Sequence, residues 1–262
     1  MTSGDYSVLD HPNISMNSFY PRVIWTPTPE GAEDHTVPVA EGITLSCRFF
    51  PVGRANPTIL FFYGNGETAA DYDNIAPLYN GIGVNFFVAD YRGYGGSGGF
   101  PTFSAMLSDA HQVLEALRGI LAAGQFADQV VVMGRSMGRH PAFELAASRS
   151  DGVTGLIVES GRPVLGQFVN ELSIAEAQRL ESAYRDKVRS IDMPVLVIHG
   201  ELDELAPVQQ AVDMYHEFTS PDKRLLTIPG AGHNDLLYRG QTPYFDAITD
   251  FVAPPKPESV SG

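Results

Sequence analysis

Short apolar runs recur along the chain at Thr58 to Tyr63, Val84 to Ala89, Val130 to Met133, Leu156 to Val158, Val195 to Ile198 and Leu225 to Ile228, each bounded by Gly, Pro or Asp. Unbroken runs of this length suit strands buried on both faces, as in the middle of a parallel sheet. Upstream, Val37 to Val39 and Ile43 to Phe50 flank Ala40-Glu41-Gly42, a hairpin signal. Between the runs the period changes. Met106, Ala110, Val113, Leu114, Leu117 and Leu121 share one helical face, and so do Val208, Ala211, Val212, Tyr215 and Phe218. A helix after nearly every strand predicts an α/β fold: a mostly parallel sheet with an antiparallel N-terminal hairpin and helices on both faces.

One stretch breaks the rhythm. Leu165, Phe168, Val169 and Leu172 keep helical spacing, Ser173-Ile174-Ala175-Glu176 matches a capping box, and Ile174, Ala177, Tyr184 and Val188 continue one face. This predicts a small two-helix insertion over about residues 161–190, placed to form a lid beyond a strand's carboxyl end. Residues 1–35 are polar and proline-rich, with an apolar knot at Phe19-Tyr20 and Val23-Ile24-Trp25, and predict an arm packed on the domain at 36–252. Ala253-Pro254-Pro255-Lys256-Pro257 cannot continue a helix, so residues 253–262 are expected to be a loose tail.

A chain of 262 residues fits one large α/β domain. Its formal net charge of −14 repels phosphate backbones and anionic lipid, which argues against nucleic acid and membrane surfaces as partners but not against a neutral ester or amide. The single cysteine, Cys47, has no partner for an internal disulfide and sits among apolar residues, as a buried structural thiol does. With no signal-peptide pattern at Met1 to Asn17 and no apolar stretch of about 20 residues, a cytoplasmic location is expected. Nothing in the sequence specifies an oligomeric state.

Val130 to Met133 runs into Gly134-Arg135-Ser136-Met137-Gly138, a G-x-S-x-G, and a helical segment follows. A serine at a strand-to-helix turn has its hydroxyl pushed outward, and the helix start aims free amides at the reacting centre. A serine nucleophile needs a base. Of seven histidines, His233 lies in a glycine-rich loop just after the last strand run. His199, at a strand end, is expected to be a buried imidazole bonded to backbone, and His140, one helical turn beyond Ser136, to point into the fold. The base needs a carboxylate to fix its tautomer. Asp203, in the loop before the helix that Pro207 begins, is preferred over Glu201, Glu204 and Asp235.

Taken together, G-R-S-M-G at Ser136, H-G-E-L-D-E-L-A-P at Asp203, G-A-G-H-N-D at His233, Tyr63-Gly64-Asn65-Gly66-Glu67 and Asp90-Tyr91-Arg92-Gly93-Tyr94-Gly95-Gly96-Ser97 resemble the conserved blocks of the α/β-hydrolase superfamily, in its compact single-domain branch, over about residues 37–252. The resemblance implies an oxyanion hole from the amides of Met137 and of Asn65 or Gly66, and no cofactor or metal. Two departures stand out: Tyr63 where the family usually has His, and Arg139-His140-Pro141 where small residues usually follow the elbow. Gly93 to Gly98 also satisfies G-x-G-x-x-G, but Gly99-Phe100-Pro101 intervenes before any helix, so no dinucleotide site is expected.

The resulting expectation is a serine hydrolase cleaving a small or medium acyl ester through an acyl-enzyme. Tyr63, Gly66, Phe100 and Phe168 are the expected substrate contacts. The alternatives are a thioesterase, or a peptidase or amidase using Glu159, Arg162 or Arg139 to hold a charged terminus. A transferase with an alcohol as acceptor, and a non-catalytic binding protein on the same scaffold, are the remaining readings.

Overall fold

The computed structural model describes residues 5–253. The N-terminal hairpin forms from β1 (Glu33–Ala40) and β2 (Ile43–Phe50), paired antiparallel around a tight turn. The apolar runs become β3 (Thr58–Phe62), β4 (Asn85–Ala89), β5 (Val130–Arg135), β6 (Val153–Glu159), β7 (Val195–Gly200) and β8 (Lys223–Ile228). All eight strands make one sheet in the order β1-β2-β4-β3-β5-β6-β7-β8. From β4 to β8 every neighbour pairs in parallel. β3, β4, β5 and β7 are buried along their whole length, as expected of strands covered on both faces.

The covering helices are α2 (Ala76–Gly81), α3 (Phe103–Ala123), α4 (Arg139–Ala147), α5 (Ile174–Arg189), α6 (Val208–Glu217) and α7 (Leu236–Val252). All six apolar positions that predict α3 are buried, and the Thr102 hydroxyl caps it by accepting from the Ala105 amide at 3.2 Å. A parallel sheet delivers the carboxyl ends of β3, β5, β7 and β8 to one edge, so the loops at residues 63–68, 136–138, 201–207 and 229–235 meet there.

The insertion differs from expectation in its first half. Gly166–Val169 forms a single 3-10 turn and not a helix. Gly161, Pro163 and Gly166 interrupt the run, and Gly166 takes a φ of +69°, outside the helical region. The second half is α5, with the Ser173–Glu176 capping box formed. The free amide of Leu165 is taken by the Glu181 carboxylate at 3.0 Å.

The arm carries its own helix, α1 (Pro12–Ser18), and packs on the domain through Tyr6, Leu9, Ile14 and Phe19. Tyr20, Val23 and Ile24 of the expected apolar knot are exposed; half-buried Trp25 lies under the guanidinium of Arg48, 4.4 Å from its ring centroid. Arg48 is fully buried and spans Asp34, Asp73 and Thr26, so its charge is paired on both sides. Cys47 is buried, as its apolar context predicts. Beyond Ala253 the expected tail lies outside the described residues. Among the described residues no helix is long and apolar enough to cross a membrane.

Candidate active site

Ser136 follows β5 directly and takes a φ of +51°, a left-handed conformation that costs a non-glycine residue about 1–2 kcal/mol. The surrounding backbone enforces the turn. A Cβ on Gly138 would lie 1.9 Å from the Phe62 carbonyl oxygen, and one on Gly134 would lie 2.4 Å from the Gly138 oxygen. Only glycines let strand, turn and helix start approach this closely.

The Ser136 hydroxyl donates to His233 Nε2 at 2.9 Å, and His233 Nδ1 donates to Asp203 Oδ2 at 2.7 Å. The other Asp203 oxygen accepts from the amides of Leu205 and Ala206 at 2.9 and 2.7 Å. Burial pushes the Asp203 carboxyl up, but the bonds from His233 and the Ala206 amide outweigh it, and the group is held below the usual carboxylate range. The three rival carboxylates are elsewhere: Glu201 takes the Gly230 amide, Asp235 takes the Gly232 amide, and Glu204 is exposed.

His199 and His140 behave as expected. His199 is fully buried, donates through Nε2 to the Ala206 carbonyl at 2.7 Å, and is kept neutral by burial. His140 pairs through Nδ1 with the Tyr184 hydroxyl at 2.7 Å, and burial holds it neutral too.

Met137 sits in the first turn of the helical segment, where amides have no intrahelical acceptor. The Asn65 amide donates to no acceptor among the described residues. The Asn65 side chain is turned towards the arm: its carbonyl accepts from the Tyr20 amide at 2.9 Å and the Tyr94 hydroxyl at 2.6 Å, and its amide group donates to Ser18 O at 2.7 Å. Gly66, at a φ of +79°, directs its carbonyl to Arg22 at 3.0 Å. The arm therefore braces the loop after β3 directly, a contact no sequence pattern announced.

The expected substrate contacts need correction. Tyr63 has no accessible surface; its hydroxyl donates to Asp90 Oδ1 at 2.7 Å and accepts from the Tyr91 amide at 3.3 Å. Phe168 is likewise fully buried, edge-on to Phe19, Phe103 and His140. As placed, both belong to the core. Phe100 is exposed. Glu159 is buried against Arg135 and Tyr244 and has no free oxygen for a ligand. Arg139 is buried as well, donating to the carbonyls of Ser136, Arg162 and Val164 at 2.7, 3.0 and 2.8 Å. Burial pulls its guanidinium down to about 10, and its role is to tie the root of the insertion to the elbow.

Tyr63 makes a stability prediction. Burial raises Asp90 to about 6 despite the bonds from the Ala69 amide and the Tyr63 hydroxyl. Tyr63→Phe removes a donor from one buried group and an acceptor from another, and is expected to cost about 1–3 kcal/mol of unfolding free energy at neutral pH. Because the folded Asp90 binds its proton more tightly than the unfolded one, its contribution to stability is fully present below about pH 4 and is lost as pH rises through about 6. The deficit of the variant should therefore shrink in acid, where Asp90 is uncharged. Urea titrations of both proteins at pH 4 and 7 check it.

A large cleft of about 760 Å³, lined by His111, Glu115, Arg118, Asp128 and Asp151, opens at the other end of the sheet, beneath the loops that lead into β5 and β6. It contains none of the Ser136, Asp203 and His233 chemistry. Among the described residues no group of acidic, histidine and cysteine side chains is arranged to hold a metal.

A family model described as serine aminopeptidase, S33, matches residues 53–167 and 173–237. The chain belongs to this family of α/β-hydrolases. Among related proteins, α/β-hydrolase domain-containing protein 17B of Homo sapiens is 30% identical over 221 residues, 82% of this chain and 73% of its own length. Protein bem46 of Schizosaccharomyces pombe is 29% identical over 216 residues, 76% and 68% of the two chains. The esterase Pf2001 of Pyrococcus furiosus has the same fold, with a TM-score of 0.71 at 20% identity over 89% of this chain and 97% of that one. For an α/β-hydrolase, the chain departs from the common pattern at Tyr63 and Arg139, and both departures are absorbed by buried hydrogen bonds without displacing Ser136 from His233.

Proposed function

We propose that this hydrolase cleaves a small or medium acyl ester, with Ser136 as nucleophile, His233 as general base and Asp203 as the group that orients the base. The observation that carries the proposal is the unbroken hydrogen-bond chain from Asp203 through His233 to Ser136, with the serine at positive φ. His233 takes the serine proton as Oγ attacks the acyl carbonyl. The developing oxyanion is received by the amides of Met137 and Asn65. His233 returns the proton to the leaving alcohol, and water then cleaves the acyl-enzyme by the same steps in reverse.

Exposed Leu202, Leu205, Phe100 and Tyr20 sit in the Asp203 loop, in the loop before α3 and beside the Asn65 loop. They favour an apolar acyl group over a charged peptide terminus. An aminopeptidase needs a free carboxylate for the substrate's amine, and Glu159, the candidate for that task, is consumed by Arg135 and Tyr244.

Hydrolysis of p-nitrophenyl esters from acetyl to dodecanoyl tests the reading, together with mass spectrometry after a fluorophosphonate. The expected result is turnover that peaks among the shorter chains and one phosphonyl adduct on Ser136. An inert protein with no adduct would overturn it.

A further inference from the structure

The residue before the nucleophile, Arg135, carries chemistry that the G-x-S-x-G pattern leaves open. It ends β5 with its guanidinium almost wholly buried. Nε donates to Glu159 Oε1 at 3.0 Å, and one terminal nitrogen donates to Glu67 Oε1. The other terminal nitrogen donates to the carbonyl of His233 at 3.1 Å and to Asn234 Oδ1 at 2.7 Å. Glu67 uses its second oxygen to accept from the Gly64 amide at 3.1 Å and the Tyr72 hydroxyl at 2.6 Å. The cation thus touches the loop after β3, the end of β6 and the loop after β8.

The space for it is built into the fold. A Cβ on Gly64 would lie 2.6 Å from the guanidinium and 2.9 Å from the Glu67 oxygen, so any larger residue there would displace the pair. Among the described residues no other hydrogen bond joins these two loops directly. β3 and β8 are separated in the sheet by β5, β6 and β7, and among the described residues no backbone hydrogen bond links residues 63–68 with 229–235. Each loop is anchored to its own neighbours, the His233 loop through Asp203 and Leu202 and the Asn65 loop through the arm, and the guanidinium is the group that couples the two anchorages. A planar fork with five N–H groups can hold partners in several directions at once, which a single ammonium cannot do.

We propose that Arg135 is a positioning residue for the reaction, holding the His233 loop and the Asn65 loop at the separation that lets one acyl group meet both the Ser136–His233 pair and the oxyanion donors. The proposal rests on the triad reading given above. Misplacement of about 1 Å at such a site costs about 100-fold in rate.

The test compares wild type with Arg135→Lys, Arg135→Met and Asn234→Ala. It measures thermal melting, kcat and KM on the best p-nitrophenyl ester, and the low-field proton NMR resonance of the His233–Asp203 hydrogen bond. Arg135→Lys keeps a cation between Glu67 and Glu159 and is expected to fold. Its kcat should fall about 10- to 100-fold with KM changed by no more than about 3-fold, and its low-field resonance should broaden or vanish. Asn234 is exposed, so its alanine variant probes the histidine side of the bridge without endangering the fold; it should lose about 3-fold or more in kcat and broaden the same resonance. If both Arg135 variants fail to fold, this variant decides. Folded variants with wild-type kcat and an unchanged resonance would overturn the proposal and leave Arg135 a counter-ion. An inert wild type whose resonance is present, and is lost in Arg135→Lys, would sink the hydrolytic reading while supporting the positioning role.

Discussion

Replacing Ser136 by alanine is expected to lower kcat on the best ester by about 10⁶-fold, roughly 8 kcal/mol of transition-state stabilisation, and to abolish fluorophosphonate labelling. The size follows from how the site divides its work. Without the hydroxyl no acyl-enzyme forms, and what survives is the contribution of the oxyanion donors and of binding alone. The variant should keep its fold, because only the bond to His233 Nε2 is lost and that ring remains held by Asp203 at 2.7 Å. Alanine inherits the positive φ of +51° without benefit from it. Ser136→Gly, equally inactive but free of that strain, is expected to be the more stable of the two by about 1 kcal/mol. Stopped-time assays with a purified Ser136→Ala protein, with chemical denaturation alongside, measure both effects. Residual turnover within about 100-fold of wild type would mean that another group attacks the ester.

What could be seen in the sequence was whatever depends on local pattern. The central strands are unbroken apolar runs because both faces are covered, and α3 shows its face because it packs on one side only. The hydrogen-bonded set of Ser136, His233 and Asp203 was legible because a parallel sheet gathers the carboxyl ends of its strands, so the three residues needed only to follow β5, β8 and β7. What stayed hidden depends on contacts between distant segments. Arg139 stood in the sequence as a candidate to hold a charged substrate terminus, yet three carbonyls, of Ser136, Arg162 and Val164, bury it. Tyr63 and Phe168 looked like pocket residues because they neighbour functional loops, but direction and not proximity decides exposure, and both turn into aromatic clusters. Gly161, Pro163 and Gly166 were a signal against the first insertion helix that apolar spacing alone outvoted. Glu159 appeared available for a substrate because its partner Arg135 lies 24 residues away in sequence and is adjacent only through the pairing of β5 with β6.

Asp203→Asn carries the second large effect, a fall in kcat of about 10⁴-fold with the fold intact. The argument turns on which atom faces which. The two amides of Leu205 and Ala206 require an acceptor, so the asparagine carbonyl must occupy the Oδ1 position. That leaves the asparagine NH₂ facing His233 Nδ1, where the carboxylate had accepted at 2.7 Å. The imidazole can then satisfy the contact only by accepting at Nδ1, which moves its proton to Nε2. A ring protonated at Nε2 donates to Ser136 and cannot take the serine's proton. The same substitution removes a stabilising term with a defined pH window. Because the folded Asp203 is held below its ordinary range, it favours the native state above about pH 4, and that support is lost as pH falls through the lower folded value. Asp203→Asn should therefore melt lower than wild type at pH 7, and the gap should close in acid. A variant that kept kcat within about 10-fold would show that His233 is oriented by something other than Asp203, with His199, whose Nε2 lies 3.4 Å from the same carboxylate oxygen, the first group to examine.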